Sequence, residues 1–269
     1  MQFNEKKTHI MGVLNVTPDS FSDGGAYFSL DQAVTHAKQL VAEGADSIDI
    51  GGESTQPGSE PVSEEEELRR VLPVIEQLRD QISVPISIDT YKPTVAKQAL
   101  QAGATVLNDI TGLTNPKMVA VAADYRVPVV IMHMQGRPKT MQTNPTYDDV
   151  VNDIKKFFQE RIAVASATGI TNLILDPGIG FGKTLEHNLT ILKRLHEFTD
   201  LGYPILVGPS HKSFIGQLTG GLPATERLEG TIAAIVTARL SGASIVRVHD
   251  VLHCRRALQI VDAIINAPR

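Results

Sequence analysis

The sequence predicts an α/β fold, a single (β/α)8 TIM barrel spanning residues 1–269 as one domain. Three observations predict it. Short runs rich in Ile and Val alternate along the whole chain with longer amphipathic segments, the pattern of successive βαβ units. Eight such runs can be counted, each followed by its own helical pattern, so no second domain is left over. The turn after the first run, NVTPDSFSDGG, lacks the G-x-G-x-x-G that an open dinucleotide-binding sheet carries there.

In chain order the strands are expected near residues 8–14 (THIMGVL), 46–50 (DSIDI), 85–89 (PISID), 105–109 (TVLND), 128–133 (PVVIMH), 172–176 (NLILD), 204–208 (PILVG) and 244–249 (SIVRVH). Between the first two, LDQAVTHAKQLVAEG sets Ala33, Val34, Ala37, Leu40 and Val41 on one helical face, and Gly44 can close the helix. Gly103, Gly169 and Gly242 supply similar stops. Ser63 followed by Glu66 reads as a capping box, so the acidic run Glu64 to Glu67 is expected as a helix start favoured by the dipole, not as a metal site. Asn115 before Pro116 marks another start.

A chain of 269 residues can bury roughly three-quarters of its unfolded surface, enough for a sizeable core. The net charge of -5, the absence of Trp and an aromatic content of 5% leave neither a phosphate-neutralising face nor base-stacking platforms, so no nucleic-acid partner is expected. No apolar run approaches the roughly 18 residues of a membrane span, and MQFNEKKTHI lacks the apolar core of a secretory signal. A cytoplasmic setting without a membrane partner is therefore expected. Cys254 is the single cysteine, which excludes an internal disulfide and a thiolate metal cluster. His249 and His253 have a spacing a metal could use on a helix, but a surface or packed His253 is the simpler expectation.

Barrel enzymes place their chemistry where strands end. Here those ends carry Asn15, Asp49, Asp89, Asn108 with Asp109, His133, Asp176, the GPSHKSF segment with Lys212, and Arg247 with His249. Any one such residue commonly caps a helix or binds a loop amide. Polar residues at all eight ends, with four aspartates beside Lys212 and Arg247, point instead to an active site in one mouth. DPGIGFGKT is not a phosphate-binding P-loop, because Pro177 stands where that pattern needs glycine. Its glycines read as a tight turn near a ligand, with Phe181 as an apolar wall. The loops after strands one and two, rich in Gly, Ser, Thr and Pro, are expected to act as mobile covers suited to an oxyanion or diphosphate.

Asn15 with TPDSFSDGG, the ESTQPG loop, DPGIGFGKT, HKSFIG and RVHD, in this order and spacing, resemble the dihydropteroate synthase family over essentially the whole chain. The resemblance implies a transferase of folate biosynthesis and a sulfonamide target. It would join p-aminobenzoate to 6-hydroxymethyl-7,8-dihydropterin diphosphate and release diphosphate. It implies a pterin pocket of Asp89, Asn108, Asp176, Lys212 and Arg247, and a diphosphate site of Asn15, Thr55, Arg247 and His249. It further implies a p-aminobenzoate pocket of Pro57, Phe181, Lys212 and Ser213, Mg2+ contacted by Asn15, and a homodimer. Asp89, Asp176, Lys212, Arg247 and His249 would then carry catalysis, by departure of diphosphate before attack of the aryl amine.

The chain departs from the family pattern at two positions, where Gln56 and His211 replace the arginines of S-T-R-P-G and S-R-K. Neither side chain reproduces the charge and fork of a guanidinium, so altered handling of diphosphate or of the second substrate is expected. A pterin-binding paralogue without catalysis competes with this reading on those two substitutions alone. A barrel that moves a methyl group from a folate to a corrinoid competes less well, because the SFSDGG and KSF blocks are foreign to it.

Overall fold

Strands covered by helices on one side and by their barrel partners on the other lose the polar alternation of half-exposed strands. β5 (Val129–Met132, VVIM) and β6 (Leu173–Asp176, LILD) are such segments, buried at every position. A computed structural model describes residues 6–17, 30–56 and 58–268 of the chain. The remaining strands are β1 (His9–Asn15), β2 (Ser47–Gly51), β3 (Ile86–Asp89), β4 (Val106–Asp109), β7 (Leu206–Val207) and β8 (Ile245–Val248). All pair in parallel, in the order β6-β5-β4-β3-β2-β1-β8-β7. A parallel bridge between Leu175 and Ile205 joins β6 to the approach of β7 and brings the sheet round into a barrel.

Helices α1 (Leu30–Ala42), α2 (Glu64–Leu78), α3 (Pro93–Ala102), α4 (Pro116–Tyr125), α5 (Val150–Ala167) and α6 (Leu185–Lys193) each follow the strand of the same number. After β7 come a short α7 (Ser213–Leu218) and then α8 (Leu228–Leu240), and α9 (Val251–Ile265) follows β8. Met11, Val106, Val130, Ile174, Leu206 and Ile245 form a separate buried cluster contributed by six strands, the packed interior expected of a small barrel. A larger layer lies between strands and helices and includes Ile48, Ile50 and Leu107 with Ala33, Ala37 and Leu40 of α1.

The expected strands are present, with ends shifted by one or two residues. β7 is the most shortened, to two residues, because it lies between Pro204 and Gly208-Pro209 and proline cannot donate to a ladder. His249 falls just past β8 rather than at its last position. Gly44, Gly103, Gly169 and Gly242 all take positive φ. Ser63 Oγ accepts from the Glu66 amide at 3.1 Å, but the box stays half-made because the Glu66 carboxylate turns to Arg69 and Arg70. Asn115 caps α4 by accepting from the Lys117 amide. His253 is exposed on α9 and His249 precedes that helix, so the two do not share a helical face. No helix among the described residues is long and apolar enough to cross a membrane.

Register positions the functional side chains. Asn15 pairs with Gly51, Gly51 with Asp89, and Asp89 with Asn108, so these four stand level at the C-terminal edge of β1 to β4. Met132 pairs with Asp176 across β5 and β6 and brings the far side of the barrel to the same edge.

Candidate active site

Arg247 lies across the floor of this mouth. Its Nε donates to Asp49 Oδ2 at 2.6 Å and its Nη2 to Asp89 Oδ2 at 2.8 Å. Asp49 is fully buried, and the same Oδ2 also accepts from Asn108 Nδ2 at 3.0 Å. One inaccessible carboxylate thus orients both a guanidinium and an amide, while Asp49 Oδ1 and Asp89 Oδ1 are buried without a hydrogen-bond partner. Gly208 leaves room beside Arg247, since a Cβ there would already be in contact with the Arg247 side chain at 3.7 Å.

On the opposite wall, Asp176 Oδ1 accepts from the Gly178 amide at 2.7 Å. The turn that follows requires glycine. Gly178 has φ 69° and a Cβ on it would stand 2.0 Å from the His133 carbonyl oxygen. Lys183 pins this turn from below, with Nζ 2.9 Å from the Phe181 carbonyl, 3.2 Å from the His133 carbonyl and 3.1 Å from His133 Nδ1. Phe181 is thereby held facing Lys212, whose Nζ sits 4.1 Å from the ring centroid. Thr55, Asp89, Asn108, Asp176, Phe181, Lys212 and Arg247 line one cleft together with Ile110, Met132 and Ile179.

Burial sets the electrostatics of this cleft. It raises the Asp176 carboxyl to about 6, against the opposing pull of the Gly178 amide and of Lys212. It likewise pushes Asp89 up, with Arg247 opposing and Asp49 and Glu67 reinforcing. Lys212 is lowered to about 8 by burial and by the charge of Arg247. His249 is solvent-exposed as a residue, yet enclosure of its ring and the charges of Arg247 and Lys212 hold it well below the ordinary imidazole value.

The residues expected from sequence separate into three groups. Asp89, Asn108, Asp176, Lys212, Arg247, Thr55 and Phe181 share the cleft. Asn15 stands at its rim, its Oδ1 and the Asp89 carboxylate flanking Gly51, and His249 stands beside Ser210 with Nδ1 3.0 Å from the serine oxygen. Ser213, expected to help hold p-aminobenzoate, is exposed on the first turn of α7 and does not line the cleft. Pro57 and the first-loop segment from residue 18 to 29 lie outside the described residues.

A family model described as "Pterin binding enzyme" matches residues 11–249. The dihydropteroate synthase of Escherichia coli K12 is 50% identical over 261 residues, covering 96% of this chain and 92% of that one. The crystal structure of Yersinia pestis dihydropteroate synthase with a sulfonamide drug complex superposes with a TM-score of 0.94 at 48% identity, over 99% of this chain and 98% of that one. A Xanthomonas albilineans dihydropteroate synthase solved with 4-aminobenzoic acid superposes with a TM-score of 0.93 at 46% identity, over 98% and 95% of the two chains. The chain belongs to the dihydropteroate synthases. They are transferases, and the mouth described above is where this synthase gathers its buried charge.

Two strand-end residues expected at the mouth of the synthase turn out to be structural. Asp109 spends both oxygens on its own loop, accepting from the Thr111 amide and hydroxyl and from the Leu113 amide. His133 is buried against Phe157 and Tyr147, and burial lowers its imidazole to about 2. Other residues escaped the sequence reading. Lys183 has no role in a failed P-loop pattern, and the signal that points to it is a lysine following Gly178, Gly180 and Gly182 at a strand end. Glu67 belongs to the acidic run read as a dipole effect, yet it is buried and shares Lys92 Nζ with Glu53 at 2.5 Å to each. Tyr91 completes that cluster by donating to Glu53 Oε1 at 2.7 Å. A second cavity, of about 660 Å³, adjoins the cleft at Ile110 and is walled by Tyr91, Met134, Arg137 and Phe157.

Proposed function

We propose that the cleft holds the pterin ring of 6-hydroxymethyl-7,8-dihydropterin diphosphate, and that Asn15, Thr55, Arg247 and His249 hold its diphosphate at the rim. The observation that carries this reading is the convergence of Asp89, Asn108, Asp176 and Lys212 in one cleft whose floor is Arg247. A pterin edge presents an amino group beside a ring N–H, which the Asp176 carboxylate can accept as a pair. Lys212 donates to the ring carbonyl and nitrogen, and Asn108 and Asp89 meet the remaining polar edge. The unpartnered Asp89 Oδ1 is an acceptor already desolvated for such a donor.

The reaction breaks the bond between the pterin methylene carbon and the diphosphate oxygen and forms a bond from that carbon to the p-aminobenzoate nitrogen, which then loses a proton. Arg247 and His249 stabilise charge gathering on the leaving oxygen, while the carboxylates of Asp89 and Asp176 offset the cation on the methylene and ring. p-Aminobenzoate approaches along Phe181, with Lys212 at the edge of its path; Pro57 and Ser213 join this pocket by the family resemblance alone. Among the described residues no cluster of three metal-ligating side chains exists. A Mg2+ ion that arrives on diphosphate needs only one or two protein oxygens, and Asn15 Oδ1 at the rim fits that demand. When bound, the ion would neutralise charge on the departing diphosphate. The homodimer belongs to the same reading: Ile260 and Ile264, one turn apart on α9, are exposed and give a second copy apolar surface to cover. A monomer mass by light scattering at micromolar concentration would contradict the dimer.

The test of the function is a coupled diphosphate-release assay. Release that requires pterin diphosphate, Mg2+ and p-aminobenzoate together is the expected result. Tight pterin binding with no release from the complete mixture would favour a non-catalytic paralogue.

A further inference from the structure

His211 follows β7 with φ 58°, a left-handed conformation that a non-glycine residue keeps only where its surroundings hold it. Four contacts hold it. Its amide donates to Thr231 Oγ1 at 3.1 Å and its carbonyl accepts from Arg227 Nη1 at 2.8 Å. Its ring Nδ1 meets the Ala224 carbonyl, and its Nε2 lies 2.6 Å from Asp250 Oδ2. Both ring partners are acceptors only. A neutral imidazole owns a single N–H, so one of these contacts would set lone pair against lone pair; a ring protonated on both nitrogens satisfies the two at once.

That ring has no donor left for a ligand, but its edge meets His249, with centroids 5.2 Å apart and planes at 77°. His249 is fixed from its other side by Ser210, whose Oγ lies 3.3 Å from the His249 amide nitrogen and 3.0 Å from Nδ1. The serine can accept from the amide and donate to Nδ1, which leaves Nε2 of His249 as the N–H. We propose that His211 is a positioning residue of the diphosphate clamp: doubly protonated between Asp250 and Ala224, it sets a fixed positive charge behind His249 and keeps that ring aimed as an Nε2–H donor. The proposal rests on the reading of the rim as the diphosphate site. It assigns to His211 the charge, though not the ligand-facing fork, of the arginine usual at this position in the family. Asp250 offsets part of that charge and Arg227 and Lys212 add to it, so the effect on an anion is modest.

The test is calorimetric titration of the full chain with inorganic diphosphate in Mg2+, beside a separate titration with 6-hydroxymethylpterin. His211→Gln is expected to weaken diphosphate binding about five- to tenfold. It should raise KM for pterin diphosphate with a smaller change in kcat, and leave 6-hydroxymethylpterin affinity within about twofold. His211→Arg, which restores a cation, is expected to recover most of the loss. Wild-type diphosphate affinity in His211→Gln, or no recovery in His211→Arg, overturns the proposal. Wild-type protein that fails to bind diphosphate at all instead removes the reading of the rim. Should His211→Gln not fold, the 15N-histidine spectrum of the wild-type protein decides: His211 protonated on both ring nitrogens with His249 carrying its proton on Nε2 supports the proposal, and a singly protonated His211 overturns it.

Discussion

Asp176 shows how a single carboxylate couples folding to ligand binding. It is 6% exposed, and burial raises its carboxyl from 3.8 to about 6. Its protonated form therefore suits the free protein: the stability this group contributes is complete below pH 3.8 and is lost as pH rises through about 6, amounting to roughly 3 kcal/mol. A pterin bound through paired N–H donors reverses the preference and expels the proton. Pterin affinity, measured by calorimetry, is expected to rise as pH increases towards about 6, and to fall again as Lys212 loses its proton above about 8. In Asp176→Asn the affinity should fall on the order of 100-fold and the rising limb should disappear; a rising limb that survives the substitution would assign it to another group. Residues such as Asp176 and Asp89 were legible because a polar residue ending an apolar strand is conspicuous. Asp109 and His133 carry the same local signature, and only the loop amides that Asp109 accepts from and the aromatic rings around His133 reveal them as structural. Lys183 and Asp250 were hidden for the opposite reason, since their partners lie 50 and 39 residues away in the chain.

At the scale of elements, the connection from β2 to α2 is fastened to the start of α3 by a buried cluster. Lys92, immediately before α3, bridges Glu53 in the second loop and Glu67 in α2, and Glu53 also accepts from the Val62 amide. Thr55 hangs from the same loop two residues beyond Glu53. Removing the shared cation leaves two carboxylates facing each other in a buried site, where burial already pushes Glu67 up. Lys92→Met is therefore expected to cost about 3–5 kcal/mol in urea denaturation and to weaken diphosphate binding through Thr55. Adding Glu67→Gln should recover part of the stability, and a Lys92→Met protein as stable as wild type would mean that the cluster does not anchor the loop. The helices and their stops were readable from glycine and capping residues, because those signals are local. This cluster was not, because an acidic run at a helix start has a sufficient local explanation in the dipole.

The whole molecule turns eight parallel strands into one polar rim: parallel strands all end on the same side, and the register sets Asn15, Asp89 and Asn108 level there. That much followed from counting strands and noting how they end. The division of labour did not, since Asp49 orients Arg247 and Asn108 from a fully buried position that no sequence pattern distinguishes from the rim. The central claim is that the pterin cleft and the anion clamp are adjacent parts of one mouth. A crystal structure of the protein with 6-hydroxymethylpterin, Mg2+ and diphosphate tests it most directly. The account predicts the ring paired to Asp176 and Lys212 above Arg247, with diphosphate reaching Asn15, Thr55 and His249. A ring bound instead in the neighbouring 660 Å³ cavity, against Tyr91, Arg137 and Phe157, would contradict it.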